Sequence, residues 1–303
     1  MVRRMAVMMP GQALELSMSL PAMNLKIQVS RIVGKKMKRL GLKMLAVFAV
    51  MIAATAASFA QKADLPYVDG ESLTYVVRYK WGAINTDVGE AVTNLSYADG
   101  MFHSVITGKT YKFYDIIFKV REHFESKFYE DPIRPHYFYR NTLEGKYRIK
   151  NTFHFDKDTN VIRATIQKYD RTPVDSLLVG TGDTYDIPSL FYKVRTLEFS
   201  NVEVGQKQPI SFAIDDDVYN FYYVLLGREV KKIKGLGTFN TLKFAVRLVA
   251  GSVFTGKDDM FVWVTDDQNK VPLMFESPIL VGKVQGTLVE FKNLKGPLDS
   301  KFK

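Results

Sequence analysis

The sequence predicts an all-β fold, mainly an antiparallel meander that makes a curved sheet or an open half-barrel, with one or two short helices. Three observations predict it. Apolar residues alternate at period two through most of the chain after residue 66, the alternating runs are short, and Gly, Asp and Asn collect between them at regular intervals. Short strands of this kind, without helices between them, pair with their sequence neighbours.

The first strand reads ESLTYVVRYKWG, with Leu73, Tyr75, Val77, Tyr79 and Trp81 on one face and Thr74, Arg78 and Lys80 on the other. That pattern is a half-buried strand. Ala91, Thr93, Leu95 and Tyr97 lead into Ala98, Asp99 and Gly100, and Phe102, Ser104 and Ile106 return from them, a hairpin on a glycine turn. Phe113 to Phe124 fits a short helix or a strand. Phe153 and Phe155 then precede the polar stretch Asp156 to Asn160, with VIRATIQKY beyond it.

Tyr185 to Phe199 reads as a helix that opens at Asp186 or Ser189, with apolar residues at 190, 191, 194 and 197. Pro188 suits its first turn. After it, Tyr219, Phe221, Tyr223 and Leu225 alternate, as do Leu242, Phe244, Val246 and Leu248. In MFVWVTDDQNKVPLMFES, Phe261 and Trp263 lead to the adjacent acids Asp266 and Asp267, and Pro272 opens the returning run. The acids lie in an acceptor-rich turn, and a strand start tolerates the missing proline N–H. With no internal repeat and no low-complexity linker, residues 61–303 are expected to form one β-rich domain, its halves 66–180 and 200–295 joined by the helix near 186–199.

Residues 1–60 read differently. Lys35 to Lys43 is KKMKRLGLK, and Met44 to Ala60 is uncharged and ends in small residues, the order of a secretory signal. The expected signal is 37–60, cleaved after Ala60, with a periplasmic or secreted product; residues 1–36 form an upstream extension that a signal does not need. A spanning helix needs roughly 20 apolar residues, and this run is shorter, so no stable membrane span is expected after cleavage.

The charge follows the same division. The chain carries 42 bases and 32 acids, a net charge of +10, but residues 1–60 hold nine of the bases and one of the acids, leaving 33 against 31 and a net charge of +2. The basic excess belongs to the targeting segment, so no nucleic-acid partner is expected. There is no cysteine, which excludes disulfides, thiolate nucleophiles, cysteine metal sites and a lipid anchor on cysteine.

No motif identifies a catalytic residue, metal site or cofactor. Asp156, Asp158 and Asn160 have the opening spacing of a calcium loop, but the sixth position is Val161 and the twelfth Gln167, not Gly and Glu. They read as a polar hairpin. Asp215 to Asp217 reads as a solvated loop, His103, His123, His136 and His154 lack metal spacing, and Ser189 has no nucleophile elbow and reads as a cap. The short GTG and GLG runs at 180–182 and 235–237 are turns.

The ligand-binding candidates are Arg195, Arg228, Glu229, Tyr79, Trp81 and Trp263. Charges in FYKVR and GRE stand beside apolar neighbours, and a buried charge must be paired. Arg195 or Arg228 is therefore expected to pair with Glu229, or else to meet a ligand. The aromatic faces are core unless a sheet face is uncovered, where they would cradle a lipid or acyl chain.

Taken together, DIPSLFYKVR, the run GREVKKIKGLGTFNTLKFAVRL, the terminal VWVTDDQNKVPLMFESPILVGKVQGTLVEF and the earlier DPIRPHYFYRNTLEGKYRIKNTFHFD resemble the family called domain of unknown function 3108. The resemblance implies an exported, mostly bacterial β protein without an established activity, and it supplies no catalytic residues. Three functional readings follow in order: a noncatalytic envelope module that binds or carries an apolar or amphipathic ligand, an envelope assembly or scaffolding protein that recruits a protein partner through strand edges, and a carboxylate-dependent hydrolase. The last needs two acids about 5 to 9.5 Å apart in a cleft.

Overall fold

A computed structural model of the protein describes residues 64–199, 202–248, 259–279 and 281–302. The expected signal at 37–60, the cleavage point after Ala60 and the extension 1–36 lie outside them. The first half runs β1 (Ser72–Trp81), β2 (Ile84–Ala98), β3 (Met101–Thr110), α1 (Asp115–Phe118), β4 (Val120–Tyr129), β5 (Pro135–Glu144), β6 (Tyr147–Phe155), β7 (Val161–Lys168) and β8 (Val174–Val179). The second runs β9 (Thr184–Tyr185), α2 (Ile187–Lys193) with a 3-10 turn at Val194–Thr196, β10 (Lys207–Ile214), β11 (Asp217–Ile233), β12 (Gly237–Leu248), β13 (Met260–Thr265), β14 (Pro272–Pro278) and β15 (Lys283–Lys292).

These strands form one open sheet in the order β8-β7-β6-β5-β4-β3-β2-β1-β15-β14-β13-β12-β11-β10-β9. Neighbours are antiparallel except β9 and β10, which run parallel. The middle of the sheet is the pair β1–β15, which sets Ser72 opposite Lys292 and Lys80 opposite Lys283. The expected meander is therefore present twice, once on each side of that seam.

Local chemistry explains the elements. The β2–β3 turn is Asp99-Gly100 with φ of 53° and 77°, the left-handed pair that a two-residue hairpin turn requires. Phe113 to Phe124 divides into helix and strand: α1 takes one turn, and β4 starts at Val120. α2 opens at Asp186 with a reciprocal cap. Asp186 Oδ1 accepts from the Ser189 backbone N–H at 2.8 Å, and the Asp186 N–H donates to Ser189 Oγ at 3.1 Å.

Period two holds on the inner face, which is packed with rings. Phe102 stacks on Phe128 (5.6 Å between centroids), Phe128 on Tyr192 of α2 (5.8 Å), and Phe138 packs on Phe153 (5.4 Å). From the other half Tyr219, Phe221, Tyr223, Leu242, Phe244 and Val246 are also buried. The sheet rolls far enough that the β10–β11 turn reaches the inner side of β5 and β6, where Asn151 Nδ2 donates to the Asp215 carbonyl at 2.8 Å.

One alternating face departs from expectation. Leu73 and Tyr75 are buried, but Trp81 is 55% exposed. The β1–β2 register shifts between Val77 and Arg78, and this hairpin overshoots β3, whose last residue, Thr110, lies opposite Gly89. Tyr79 and Trp81 therefore leave the core and stand at the rim of the sheet.

Candidate functional site

Several polar residues occupy positions whose strand parity points into the core. Glu122 shares its face with Phe124 and Phe128; Arg140, Thr142 and Glu144 share theirs with Phe138; Asn151 shares its face with Phe153. The register sets Glu122 opposite Thr142 and Arg140 opposite Asn151. On the other side Gly108 faces Glu122, and a Cβ at Gly108 would stand 3.3 Å from the Glu122 Cβ. The glycine leaves the room that the glutamate fills.

The cluster is bonded from end to end. Arg140 Nε donates to Thr142 Oγ1 at 2.8 Å, which donates to Glu122 Oε2 at 2.5 Å, and Arg140 Nη1 donates to Asp215 Oδ1. Glu122 Oε1 and both Glu144 oxygens are out of solvent without a hydrogen-bond donor among the described residues. Burial pushes Glu122 well above the ordinary carboxylate range, with the neighbouring Glu144 charge adding to the rise. Burial also lifts Glu144, to about 7, against the pull of Arg140. Two carboxylates in such a site do not both ionise, so the pair keeps a proton. Asp215, expected in a solvated loop, instead supplies the counter-charge of buried Arg140, because the roll of the sheet brings the β10–β11 turn inward; Asp216 pairs with Lys168 beside it.

On the opposite face of the same strands lies a groove of about 580 Å³. Its walls alternate with the buried row: Lys109, Arg121, His123, Asn141, Lys150 and Gln167 project into it, while Gly108, Glu122, Thr142 and Ile149 contribute its floor. Arg148, Glu90 and Asp170 also line it, so four Lys and Arg face two outward acids. Glu90 is engaged by Lys109 at 2.9 Å and Asp170 by Arg148 at 3.8 Å. The groove carries more bases than acids, and Glu122 of the carboxyl pair lies in its floor.

The six residues singled out in the sequence do not form one site. Arg195 is fully buried and pairs with Glu71, not Glu229: Nη2 donates to Glu71 Oε2 at 2.8 Å, Nη1 to Oε1, and Nε to the Asn269 carbonyl at 3.1 Å. Its guanidinium also lies 5.3 Å from the Tyr67 ring centroid and 5.7 Å from that of Tyr192. Arg228 pairs with Asp266 at 2.7 Å. Glu229 accepts from Trp263 Nε1 and faces Lys243 at 3.4 Å, while Lys231 stands 3.8 Å over the Trp263 ring. Glu229 and Trp263 thus come together on the outer face, and Tyr79, donating to the Val281 carbonyl at 3.1 Å, stands with Trp81 at the rim.

The other motifs resolve as local structure. Asp156 Oδ1 accepts the backbone N–H groups of Asp158 and Thr159, both at 3.1 Å. Asp267 accepts from Asn269 N–H at 3.0 Å and from Ser300 Oγ at 2.7 Å, tying the β13–β14 hairpin to the residues after β15. His123 and His103 both face Glu125, at 2.6 and 3.6 Å. No local motif marks Glu71, Arg140 or Glu144, and Glu122 beside His123 lacks the spacing of a zinc-protease helix. The available signal was charge at core parity, most legible in YFYRNTLEG, where Arg140 and Glu144 fall in step with Phe138.

No curated protein matches the chain. Among solved structures it is similar to a β-barrel-like protein of domain of unknown function DUF1849 from Brucella abortus, with a TM-score of 0.55 at 8% identity over 75% of this chain and 98% of that one, a likeness of fold. It is also similar, at a TM-score of 0.30 and 10% identity over 77% of this chain and 100% of the other, to a lipoprotein candidate from Parabacteroides distasonis, which is too distant to build on. The sequence pattern of the proteins of unknown function called DUF3108 matches residues 74–289, and the chain belongs to that family.

Proposed function

We propose that the protein is a noncatalytic binding module of the cell envelope that holds a polar, anionic ligand in the groove over β2 to β7. The groove itself carries this reading. Its volume of about 580 Å³ falls in the range of small-molecule sites, roughly 300 to 1,000 Å³. Lys109 and Lys150 with the amides of Asn141 and Gln167 supply donors to carboxylate, phosphate or acidic sugar groups, while Arg121 is held by Asp115. The inner face is taken up by the chain's own rings, such as Phe128, Phe138 and Phe153, so an apolar ligand has no comparable cradle there. The envelope setting draws its support from the cationic, apolar and small-residue order of residues 35–60.

Calorimetric titration of the purified protein with a panel of phosphate esters and acidic oligosaccharides tests the reading. At least one compound should bind, and Lys109→Glu with Lys150→Glu should weaken it at least about tenfold. If the wild type binds none of the panel, or the charge-reversed protein binds equally well, the groove is not a ligand site.

A second reading rests on β8, an outer strand of the open sheet with Leu177 and Val179 exposed. Such an edge accepts an added strand from a protein partner. Crosslinking at Leu177 that captures a partner in envelope extracts, with no ligand in the groove, would favour scaffolding.

A further inference from the structure

We propose that one end of the sheet, formed by the β14–β15, β1–β2, β3–β4, β5–β6 and β7–β8 connections, is a docking surface that seats the protein on a bilayer containing anionic lipid. The inference goes beyond the groove reading and does not rest on it.

These connections fall at one end because successive antiparallel strands reverse direction, and they neighbour one another without a break. Tyr79 donates to the Val281 carbonyl at 3.1 Å, and the hydroxyls of Thr86 and Tyr114 are 2.5 Å apart. The Gly145 N–H donates to the Lys119 carbonyl at 2.8 Å, and the Tyr169 N–H to the Arg148 carbonyl at 2.8 Å. The row is one continuous rim.

The rim displays apolar side chains that the fold does not use. Ile116 is 87% exposed, Ile117 76%, Phe113 72% and Trp81 55%, with Ile84 and Val281 also exposed beside them. A solitary exposed apolar residue needs no explanation, but a contiguous group does. α1 is fixed in place by its polar residue: Asp115 accepts from Thr110 Oγ1 at 2.5 Å and from Arg121 Nη1 and Nη2 at 2.9 and 2.5 Å. Phe118 turns back against Gly145. The two isoleucines are therefore held outward on a braced knob.

Charge selects the occupant. Lys112, Lys119, Lys146 and Arg171 are exposed within these connections. The acids in these connections are Asp115 and Asp170, which already face Arg121 at 2.5 Å and Arg148 at 3.8 Å, and in the β10–β11 turn at the same end Asp215 pairs with Arg140 and Asp216 with Lys168. A protein partner would need a packed apolar centre with a polar rim, whereas here Phe113, Ile116 and Ile117 on the β3–β4 connection and Trp81 beside the β1–β2 turn are interspersed with exposed bases on the same rim. That pattern matches the bilayer interface, which takes apolar tips below the headgroups and bases at the level of lipid phosphates. No helix among the described residues is long and apolar enough to span a membrane.

The test is cosedimentation of the purified protein with vesicles of equimolar phosphatidylcholine and phosphatidylglycerol, against pure phosphatidylcholine. Binding to the anionic vesicles is expected, with loss at high salt. Tryptophan emission should shift to the blue on binding, because Trp81 is exposed while Trp263 is already 5% exposed. Ile116→Asp with Ile117→Asp should reduce the bound fraction at least about tenfold. Val204→Asp, at an exposed position before β10 at the opposite end, should leave it unchanged. Failure of the wild type to bind, or equal binding by the double variant, overturns the proposal. So does vesicle-independent self-association that the double variant abolishes, which would make the rim an interface between copies.

Discussion

The Arg195 guanidinium and the Glu71 carboxylate, 124 residues apart in sequence, meet as a two-bond pair with neither side chain open to water. The pair joins the segment before β1 to the turn after α2, and Arg195 reaches on to the carbonyls of Pro66 and Asn269, each at 3.0 Å. Removing one member leaves the other charged and buried. Glu71→Gln or Arg195→Met is expected to lose about 3 to 5 kcal/mol in urea unfolding. The double variant Glu71→Gln with Arg195→Met should lose clearly less than the sum of the two single losses.

Asp186 gives the stability of the fold a direction in pH. Burial raises its carboxyl to about 7, against hydrogen bonds from Ser189 and Ser126. The unfolded chain releases this proton near its ordinary value while the folded chain keeps it, so stability falls as pH rises through the interval from about 4 to 7 and levels off above it. The loss from this group is on the order of 4 kcal/mol. Asp186→Asn keeps the acceptor for the Ser189 N–H, and its stability should vary less across that interval.

The Glu122 and Glu144 pair makes a separate spectroscopic prediction. Because burial raises both groups, the carbonyl band of a protonated carboxylic acid should persist in the infrared spectrum of the Asp186→Asn variant, which lacks the Asp186 proton, between about pH 5 and 7. Glu144→Gln removes the like-charge neighbour, lowers Glu122 and should diminish that band. An unchanged band would assign the proton elsewhere.

Gly286 supports β14 and β15 by lacking a side chain. The Phe275 ring lies over it, in the space that a Cβ would enter, and the two residues are directly paired across the strands. Gly286→Ala should therefore cost about 1 to 3 kcal/mol through overpacking, seen as a lower melting temperature. A neutral outcome would mean that Phe275 has another place to go.

Most of the architecture was legible where one physical signal acted alone. Alternation identified Leu73, Tyr75, Phe244 and Val246 as core, and the Asp186 cap identified the start of α2. The short helix at Asp115 was ambiguous because its apolar residues point outward, the reverse of the usual amphipathic pattern. Partners were the least legible part. The apolar neighbours of Arg195 mark it as a charge needing a mate, but Glu71 lies far from it in sequence, and only the fold makes them neighbours. The groove was invisible for the same reason, since Lys109, Asn141 and Lys150 come from three strands whose shared register no local pattern encodes.

The β1–β15 seam sets an order of events. Each side of the sheet is built from neighbours in sequence and can assemble by local pairing, but the central pair joins strands from the two ends of the described chain. Tyr75 then donates across the seam to the Pro272 carbonyl, 197 residues away. Contacts of that separation form slowly. Until β15 arrives, β1 offers a free hydrogen-bonding edge rich in Val and Tyr, so the interval between the first hairpin and the last strand is the period of greatest exposure to misassembly.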